Sequence, residues 1–360
     1  MADISVNLPL NLPFDIAAVE EKYNFKISGV TTLAEKRKIY RLQTDKGNFV
    51  LKPVTYPPAE FEFIKDACNY LAAQGCRTAA VIPGVRGDFC FETAENGNFF
   101  IMNYLKGRSA DFRDEEHIAA VAAALADLHR RSFGFHSEAF ADRVKIGRFA
   151  AEAFAKIQSM QRWQMQLQKK AELCYFDYLY SGYAAKHINL GFAVLESLQK
   201  YYGGVSEKYR RKGCICHHDL ANHNILLDKA GEDLQVGFVD FDYCIADVFV
   251  HDLASVLLRV GKANHYNSRL ALSFWRQYEK QMPVGAEEKL LLWDYLRFPV
   301  DFWQMGLAFY EEIPAMQDVR GQKIRRGRLD RRLTEYMDNE EKKHNFLREM
   351  RSEILGSGIL

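Results

Sequence analysis

The chain has 360 residues, with 48 Lys and Arg against 47 Asp and Glu and a formal net charge of +1 at pH 7. This length predicts one large or two modest domains, and the charge balance excludes a general attraction to nucleic acid or to membrane surfaces. The longest apolar run, 118–126, is too short for a membrane span, and no basic segment precedes an apolar one at the N-terminus, so no export signal is expected.

Two β-prone runs near the start of the chain predict a hairpin. They are 38–43 and 49–52, with turn-forming residues at 45–48 between them. Lys52 ends the second strand. On its own, this residue is as consistent with a surface lysine on an edge strand as with a functional one.

A helix is predicted over about 59–74, closed by Gly75 as its C-cap. It carries two acidic residues near its start, Glu60 and Glu62, which face different ways. Either of them could orient Lys52, and the spacing does not decide between them.

The chain then passes from strand to helix. A predicted strand over 98–102 leads into a loop at 103–108. Apolar residues at helical spacing over 114–129, with acids in the first turn and bases in the last, predict a core helix. Long helical patterns from about 149 to 200 predict an insertion beside the functional region.

The most specific pattern lies between residues 216 and 242. His217, Asp219 and Asn224 follow the spacing H-x-D-x4-N, and Asp240 follows in the run 239–242. In protein kinases the Asp of such a loop accepts the proton of the attacking hydroxyl and the Asn holds a metal, while a second Asp bridges metal and phosphate. The pattern therefore predicts phosphoryl transfer, with Asp219 as the base.

A predicted hairpin explains this spacing. The apolar runs 225–227 and 236–239 flank a turn-type sequence at 228–231, so the loop before the first strand and the end of the second lie side by side. Asn224 and Asp240 could then share one divalent ion through hard oxygen ligands, which suits Mg²⁺. A chance match is the alternative, but both motifs occur in the expected order.

The motif also gives roles to residues earlier in the chain. Lys52 is expected to contact the α- and β-phosphates of ATP, as a lysine at the end of such a strand does in kinases. The exit of the strand 98–102 is expected to offer backbone groups to adenine. This hinge is placed at Met102, Asn103 and Tyr104.

Residues around the loop 217–224 are expected to support it. Asp252 opens a predicted apolar helix, where an acid suits the N-terminus, and is expected to accept backbone N–H groups of the loop. His217 is likewise a structural support of the site. The basic stretch 320–332 could contact an acidic partner, although a solvated surface is the simpler interpretation.

Several segments carry a family resemblance, and they lie at 128–135, 216–227, 239–244, 250–254 and 295–303. In these segments the chain resembles the CotS family of bacterial spore-coat-associated proteins, which belong with the aminoglycoside phosphotransferase and choline kinase-like proteins. The resemblance implies a two-lobed, protein kinase-like α+β fold, with a small β-rich N-lobe over 1–103 and a large, mainly helical C-lobe over 104–360. It also implies a protein made in the mother-cell cytoplasm and then deposited in the spore coat.

The sequence departs from active members of these families at two places. His218 stands where aminoglycoside phosphotransferases have the glycine of H-G-D, although protein kinases also accept a large residue there. The stretch 28–34, expected to cover the phosphates, has one glycine where protein kinases use G-x-G-x-x-G. Aminoglycoside phosphotransferase-like proteins also dispense with that pattern.

The sequence is compatible with two functions. The first is an ATP- and Mg²⁺-dependent phosphotransferase acting on a hydroxyl of an unidentified small molecule or coat component. The second is a non-catalytic spore-coat structural or binding protein that retains the fold. Expected partners are ATP, the hydroxyl-bearing acceptor and other spore-coat proteins. An open acidic cleft would suit a cationic acceptor, but the sequence does not locate such a cleft.

Overall fold

The structure, a computed structural model, describes residues 12–93, 97–231 and 233–356. It has the α+β architecture predicted from the sequence: an antiparallel sheet near the N-terminus and a mainly helical remainder. The N-terminal elements are α1 (Ile16–Tyr23), β1 (Ile27–Ala34), β2 (Ile39–Thr44), β3 (Gly47–Pro53), α2 (Pro58–Ala73), β4 (Val81–Ile82), β5 (Cys90–Thr93) and β6 (Gly97–Asn103).

Lys52 lies on an interior strand of this sheet. The strand order is β1-β2-β3-β6-β4, with β5 also paired to β6, so β3 has a neighbour on each side. In the antiparallel register Lys52 pairs with Phe100 of β6. The alternative of a surface lysine on an edge strand is therefore wrong, because β3 is central and the Lys52 side chain is buried.

The helix α2 covers one face of the sheet region. It starts with Pro58 at its first position, where the missing N–H costs nothing, and Phe61, Ile64 and Leu71 are buried. It ends as predicted before Gly75, whose φ of +80° is easy for glycine. The apolar face of α2 belongs to the same core as the helices that follow, which joins the sheet to the rest of the protein.

The remaining elements are mostly helices. They are β7 (Arg108–Ser109), α3 (Glu115–Ser132), α4 (Phe149–Gln168), α5 (Tyr175–Leu198), α6 (Tyr202–Lys212), β8 (Ile215–Cys216), β9 (Ile225–Ala230), β10 (Asp233–Phe238), β11 (Ile245–Ala246), α7 (Val250–Ala263), α8 (Arg269–Gln281), α9 (Ala286–Arg297), α10 (Val300–Leu307), α11 (Val319–Asp338) and α12 (Glu340–Leu355). The predicted lobe boundary after residue 103 stays a prediction. Among the described residues, no helix is both long and apolar enough to cross a membrane.

The hairpin of β9 and β10 positions the residues of the motif. Its register pairs Ile225 with Phe238, so the residues just outside the two strands meet. The N–H of Val239 donates to the carbonyl oxygen of Asn224 at 3.0 Å. Pairing within one hairpin thus brings the segment of Asp240 next to the end of the loop 217–224.

The predicted insertion at about 149–200 consists of α4 and α5. These helices pack on each other and contribute buried residues, among them Ile157, Trp163 and Tyr180, to the main core. They also contact α9, α10 and α11. The region is therefore part of the helical core rather than a solvated appendage.

Candidate functional site

A buried carboxylate anchors the loop 217–224. Asp252, in the first turn of α7, accepts the backbone N–H of His217 at 2.6 Å and that of His218 at 2.8 Å, one on each oxygen. His129 of α3 lies 3.4 Å from the same carboxylate. Burial by itself raises the pKa of Asp252, but His129, His217 and the N–H of His218 lower it to about 2. Asp252 is thus a charged anchor.

His217 fastens the loop to the end of β10. Its Nε2 donates to the carbonyl oxygen of Val239 at 2.8 Å, so Nδ1 is the acceptor that faces the N–H of Asp219 at 3.3 Å. The ring is buried and packs against Phe241 at 4.4 Å between ring centroids. His217 therefore connects the loop to the segment that carries Asp240.

Asp219 and Asn224 contact each other within the loop. The Nδ2 of Asn224 donates to the carbonyl oxygen of Asp219 at 2.9 Å and to its Oδ2 at 3.1 Å. Arg259 of α7 donates to Oδ1 of Asp219 at 3.1 Å. Because Asn224 uses its amide nitrogen for Asp219, its Oδ1 is the atom that can face a cation.

A second cluster joins β3 to the segment after β10. The Nζ of Lys52 lies 2.8 Å from Oδ1 of Asp240 and 2.7 Å from Oδ1 of Asp242. Tyr56 donates to Asp242 at 3.2 Å, and Arg37 lies 3.5 Å from Oδ2 of Asp240. The predicted phosphate-binding lysine and the predicted metal-binding carboxylate are thus in direct contact.

The charges of this cluster stabilise one another. Burial by itself lowers the pKa of Lys52, but the carboxylates of Asp242 and Asp240 outweigh it and raise that pKa above its usual value. Burial likewise raises the pKa of Asp240, but Lys52 outweighs it and holds that pKa low. Both groups are therefore charged near neutral pH.

Glu60 and Glu62 do not orient Lys52. Glu60 accepts two hydrogen bonds from Arg143, at 2.6 and 3.0 Å, and Glu62 pairs with Lys65. The expectation that one of the two glutamates supports the lysine is therefore wrong. The physical reason is that the carboxylates of Asp240 and Asp242 already neutralise the charge of Lys52. The carboxylate of Glu60 is hydrogen bonded to Arg143 instead.

Sequence reasoning missed two arginines of the site. Arg143 is buried and donates to the carbonyl oxygens of Asp242 and Cys244, both at 2.7 Å, in addition to Glu60. No motif marks it, because it ends a short 3₁₀ helix (Ala141–Arg143) that is far from its partners along the chain. Arg259 could have been found, since it lies seven residues after Asp252 and thus two turns along the same helix face.

The predicted hinge already uses its backbone donors. The N–H of Asn103 donates to the carbonyl oxygen of Ala80 at 3.0 Å, and that of Tyr104 to Asn48 at 3.2 Å. Met102 is buried on β6. An adenine base at this position would therefore have to use carbonyl oxygens or replace these bonds.

The stretch 28–34 is not a loop. It is part of the strand β1, and the connection to β2 is a short turn that begins at Glu35–Arg37. These residues pair with β2 in an antiparallel register, so a strand stands where a loop was expected, while the covering of the phosphates by this stretch stays a prediction. The turn nevertheless brings the exposed Arg37 to Asp240, so a cation rather than a glycine-rich backbone covers this side of the site.

Two residues of the site have a left-handed backbone. His218 has a φ of +66° and Asp240 a φ of +65°, and neither is a glycine. Such conformations cost on the order of 1 kcal/mol or more and occur preferentially at functional sites. At position 218 glycine would be free of this strain. The anchoring of the His218 N–H by Asp252 helps to hold the conformation.

The oxygen donors of the site suit a divalent ion whose remaining coordination positions are filled by a nucleotide. Among the described residues, no group of three or more His, Cys, Asp and Glu is placed to hold a metal alone. Asn224, Asp240 and Asp242 supply hard oxygen donors, and Mg²⁺ commonly binds one or two carboxylates while phosphates and waters fill the other positions. The donor set therefore suits a metal that arrives with a polyphosphate.

A family model described as "Phosphotransferase enzyme family" matches residues 27–291. The chain belongs to this phosphotransferase family. The match spans the sheet, the loop 217–224 and the anchor Asp252, which are the parts of the molecule that build the candidate site. It confirms the family that the sequence motifs indicated.

Similar proteins agree with this assignment. Spore coat protein S of Bacillus subtilis (strain 168) is 22% identical over 300 residues, covering 82% of this chain and 84% of that protein. Together with the family match, it confirms the resemblance seen in the sequence.

Solved structures show the shared fold. An aminoglycoside phosphotransferase from Alicyclobacillus acidocaldarius has a TM-score of 0.76 at 20% identity, over 96% of this chain and 97% of its own. The amicoumacin kinase hAmiN, in complex with AMP-PNP, Ca²⁺ and Ami, has a TM-score of 0.56 at 14% identity, over 89% of this chain and 93% of its own. The predicted kinase-like fold is thereby confirmed.

Proposed function

We propose that the protein is an ATP- and Mg²⁺-dependent phosphotransferase that acts on a hydroxyl group. One observation carries the proposal: Lys52 of β3 contacts Asp240, which the β9–β10 hairpin holds beside Asn224 and the loop of Asp219. These four groups come from three segments, β3, the loop 217–224 and the end of β10, and their convergence gives a phosphotransferase-family fold the parts that phosphoryl transfer requires.

The roles follow from the chemistry of each group. Lys52 binds the phosphates of ATP, and the hinge around Met102, Asn103 and Tyr104 receives the adenine. Asn224 and Asp240 would hold Mg²⁺, which would neutralise charge on the phosphate oxygens.

Proton transfer falls to the loop. Asp219 takes the proton of the acceptor hydroxyl while the oxygen of that hydroxyl forms a bond to the terminal phosphorus of ATP. ADP leaves with the electron pair of the broken phosphorus–oxygen bond. Asp252 and His217 keep the loop in position and do not touch the reacting atoms.

The likeness to spore coat protein S supports a second part of the proposal. We infer that the protein associates with other proteins of a spore coat, after synthesis in the mother cell. The phosphoryl acceptor is then a small molecule or a component of the coat.

A non-catalytic coat protein is the competing function, and a specific observation favours it. Lys52 is paired with Asp240 and Asp242, and Asp219 is paired with Arg259. At the hinge, the N–H groups of Asn103 and Tyr104 are hydrogen bonded within the protein. A nucleotide has to compete with these contacts.

Nucleotide binding tests the proposal directly. Thermal unfolding is measured with and without ATP and Mg²⁺ for the native protein and for Asp240→Asn, with Asp338→Asn at the exposed end of α11 as a control. A ligand at a hundred times its dissociation constant adds about 2.7 kcal/mol. We expect a Mg²⁺-dependent shift that Asp240→Asn removes and the control keeps. No shift at millimolar ATP would favour the non-catalytic function.

A further inference from the structure

A cavity of about 610 Å³ lies beside the loop 217–224. Its lining includes His218 of that loop and residues of α4, α7, α9, α10 and α11. Arg259 lines the cavity and also donates to Asp219, so the cavity adjoins the proposed base. Its volume lies in the range of small-molecule sites. On the proposed function, this is where the acceptor binds.

The charged side chains that line this cavity are mainly basic. The acids are Glu152, Asp247 and Asp301, and the bases are Lys145, Lys156, Arg259, Lys262 and Arg332. The excess of cations is the opposite of the acidic cleft that a cationic acceptor would need.

Each of the three acids already has a partner. Asp301 pairs with Lys262 at 2.8 Å. Asp247 accepts the N–H of Val248 at 2.8 Å and lies 3.3 Å from Nδ1 of His251. Glu152 is shared between two lysines of the lining. A positively charged acceptor would have to displace one of these contacts.

Two lysines share the single carboxylate of Glu152, so this group of three side chains has a net positive charge. Lys145 lies 3.4 Å and Lys156 3.9 Å from its carboxylate oxygens. Lys156 is largely buried beneath the ring of Trp303, 5.1 Å from its centroid. Burial and the charge of Lys145 lower the pKa of Lys156, although Glu152 opposes them. An anion beside the two lysines would therefore relieve their mutual repulsion.

An aromatic wall completes the cavity. Phe149 and Tyr295 stack with 3.9 Å between ring centroids, His251 stacks on Tyr295 at 4.9 Å, and Trp303 lines the same space. The strained backbone of His218 keeps another ring at the wall, where glycine would leave none. Flat apolar surfaces of this kind suit the face of a sugar or another ring.

We propose that the phosphoryl acceptor is a hydroxylated, ring-containing small molecule that carries a negatively charged group, a carboxylate or a phosphate. The anionic group binds at Lys145 and Lys156, and a hydroxyl of the ring faces Asp219. The acceptor oxygen forms the new bond to the terminal phosphorus of ATP, Asp219 takes the hydroxyl proton, and ADP leaves with the bonding electrons. This inference rests on the proposed function and defines its substrate class.

Four sugars with the same ring test the charge preference. Glucosamine, glucose, glucuronate and glucose 6-phosphate are titrated calorimetrically into the full chain with ADP and Mg²⁺ at low salt. Both anionic sugars are expected to bind at least tenfold more tightly than glucose, and glucosamine more weakly than glucose. Equal affinities, or a preference for glucosamine, would overturn the inference. Comparing glucuronate with glucose 6-phosphate separates the carboxylate from the phosphate.

Matched variants locate the anion site. Lys156→Met keeps the apolar stem and Lys145→Gln is a milder change, and each is expected to lower the affinity for anionic sugars at least fivefold. Lys200→Met is the control, because Lys200 is exposed and pairs loosely with Glu196 at 3.9 Å. Unchanged affinities in both cavity variants would overturn the assignment. A Mg-ATP stability shift without any anion preference refutes only this inference, whereas a missing Mg-ATP shift refutes the proposed function.

Discussion

Asp219 lies between the amide of Asn224 and the guanidinium of Arg259, and both contacts hold its carboxylate in place. The carboxylate is only partly exposed, and Arg259, which contacts its Oδ1, also lines the cavity. A carboxylate that is held in place in this way suits a general base, which takes a single proton from the acceptor hydroxyl.

The first prediction concerns the base itself. Asp219→Asn keeps the size of the side chain but removes the proton acceptor, and general base catalysis contributes about 10²- to 10⁴-fold. ADP formation in a coupled assay should fall by that factor, while the stabilisation by ATP and Mg²⁺ is kept. Asp338→Asn serves as the control. A variant that turns over ATP at the native rate would contradict the role of Asp219.

The second prediction concerns the anchor. Asp252→Asn removes the charged acceptor from both N–H groups of the loop and leaves one of them facing an amide NH₂, with no acceptor, in a fully buried position. Hydrogen bonds to charged groups contribute about 1.5–3 kcal/mol, so the free energy of unfolding in urea should fall by roughly 2 kcal/mol. The exposed Asp338→Asn should change it by less than about 0.5 kcal/mol. Equal effects of the two variants would refute the anchoring role.

At the scale of elements, α5 and α11 enclose a histidine that is not one of the residues of the candidate site. His187 lies in α5, donates from Nδ1 to the carbonyl oxygen of Tyr183 at 2.9 Å, and accepts at Nε2 from the hydroxyl of Tyr336 in α11 at 3.0 Å. Its ring stacks on Phe302 with 4.0 Å between centroids. Burial is the main cause that lowers the pKa of His187 to about 4.

The third prediction is a pH dependence of stability. Unfolding returns the pKa of His187 from about 4 to its ordinary value of 6.5, so the unfolded chain binds the extra proton first. The contribution of uncharged His187 to the free energy of unfolding is therefore fully present above about pH 6.5 and is lost as the pH falls towards 4. The loss attributable to His187 should reach about 2 kcal/mol at pH 5, at 1.36 kcal/mol per pKa unit.

Urea unfolding of His187→Gln between pH 7.5 and 5 measures this contribution. The variant should lose less stability on acidification than the native protein. His344→Gln, on the exposed face of α12, is a matched control and should keep the native pH dependence. Parallel curves for the native protein and His187→Gln would show that this histidine is not the source.

Elements with a strong local signal were predicted closely. The helix predicted over 59–74 is α2 (Pro58–Ala73), because its apolar spacing and Gly75 are local features. By contrast, the stretch 28–34 forms part of β1 and is not a loop. The one glycine and two threonines of this stretch do not predict its conformation from local sequence. Pairing with β2 makes it a strand.

For the whole molecule, one arginine connects the two regions of the fold. Arg143 binds Glu60 of α2 on one side and the carbonyl oxygens of Asp242 and Cys244 on the other. It therefore links the helix beside the sheet to the segment that carries Asp240. Replacing Arg143 should therefore destabilise the segment that carries Asp240 and not only the protein surface.

The fourth prediction is a coupling energy. In a double-mutant cycle, Arg143→Met and Glu60→Gln should couple by about 1–2 kcal/mol, since contacting charged groups with little exposure interact strongly. The exposed pair Arg269 and Glu115 should couple by less than about 0.5 kcal/mol in the same cycle. Unfolding in urea supplies both values. Similar coupling in the two pairs would mean that Arg143 is an ordinary surface contact.

The sequence by itself determined the family, the fold class and the position of the motif groups. Asp219, Asn224 and Asp240 lie within one loop and one hairpin, so short-range spacing was sufficient to predict that they approach one another. The pairing of Lys52 with Asp240 and Asp242, the diversion of Glu60 to Arg143 and the basic cavity depended on the tertiary structure. These contacts join residues far apart in the chain, and no local pattern encodes which of several charged side chains will meet when the core closes.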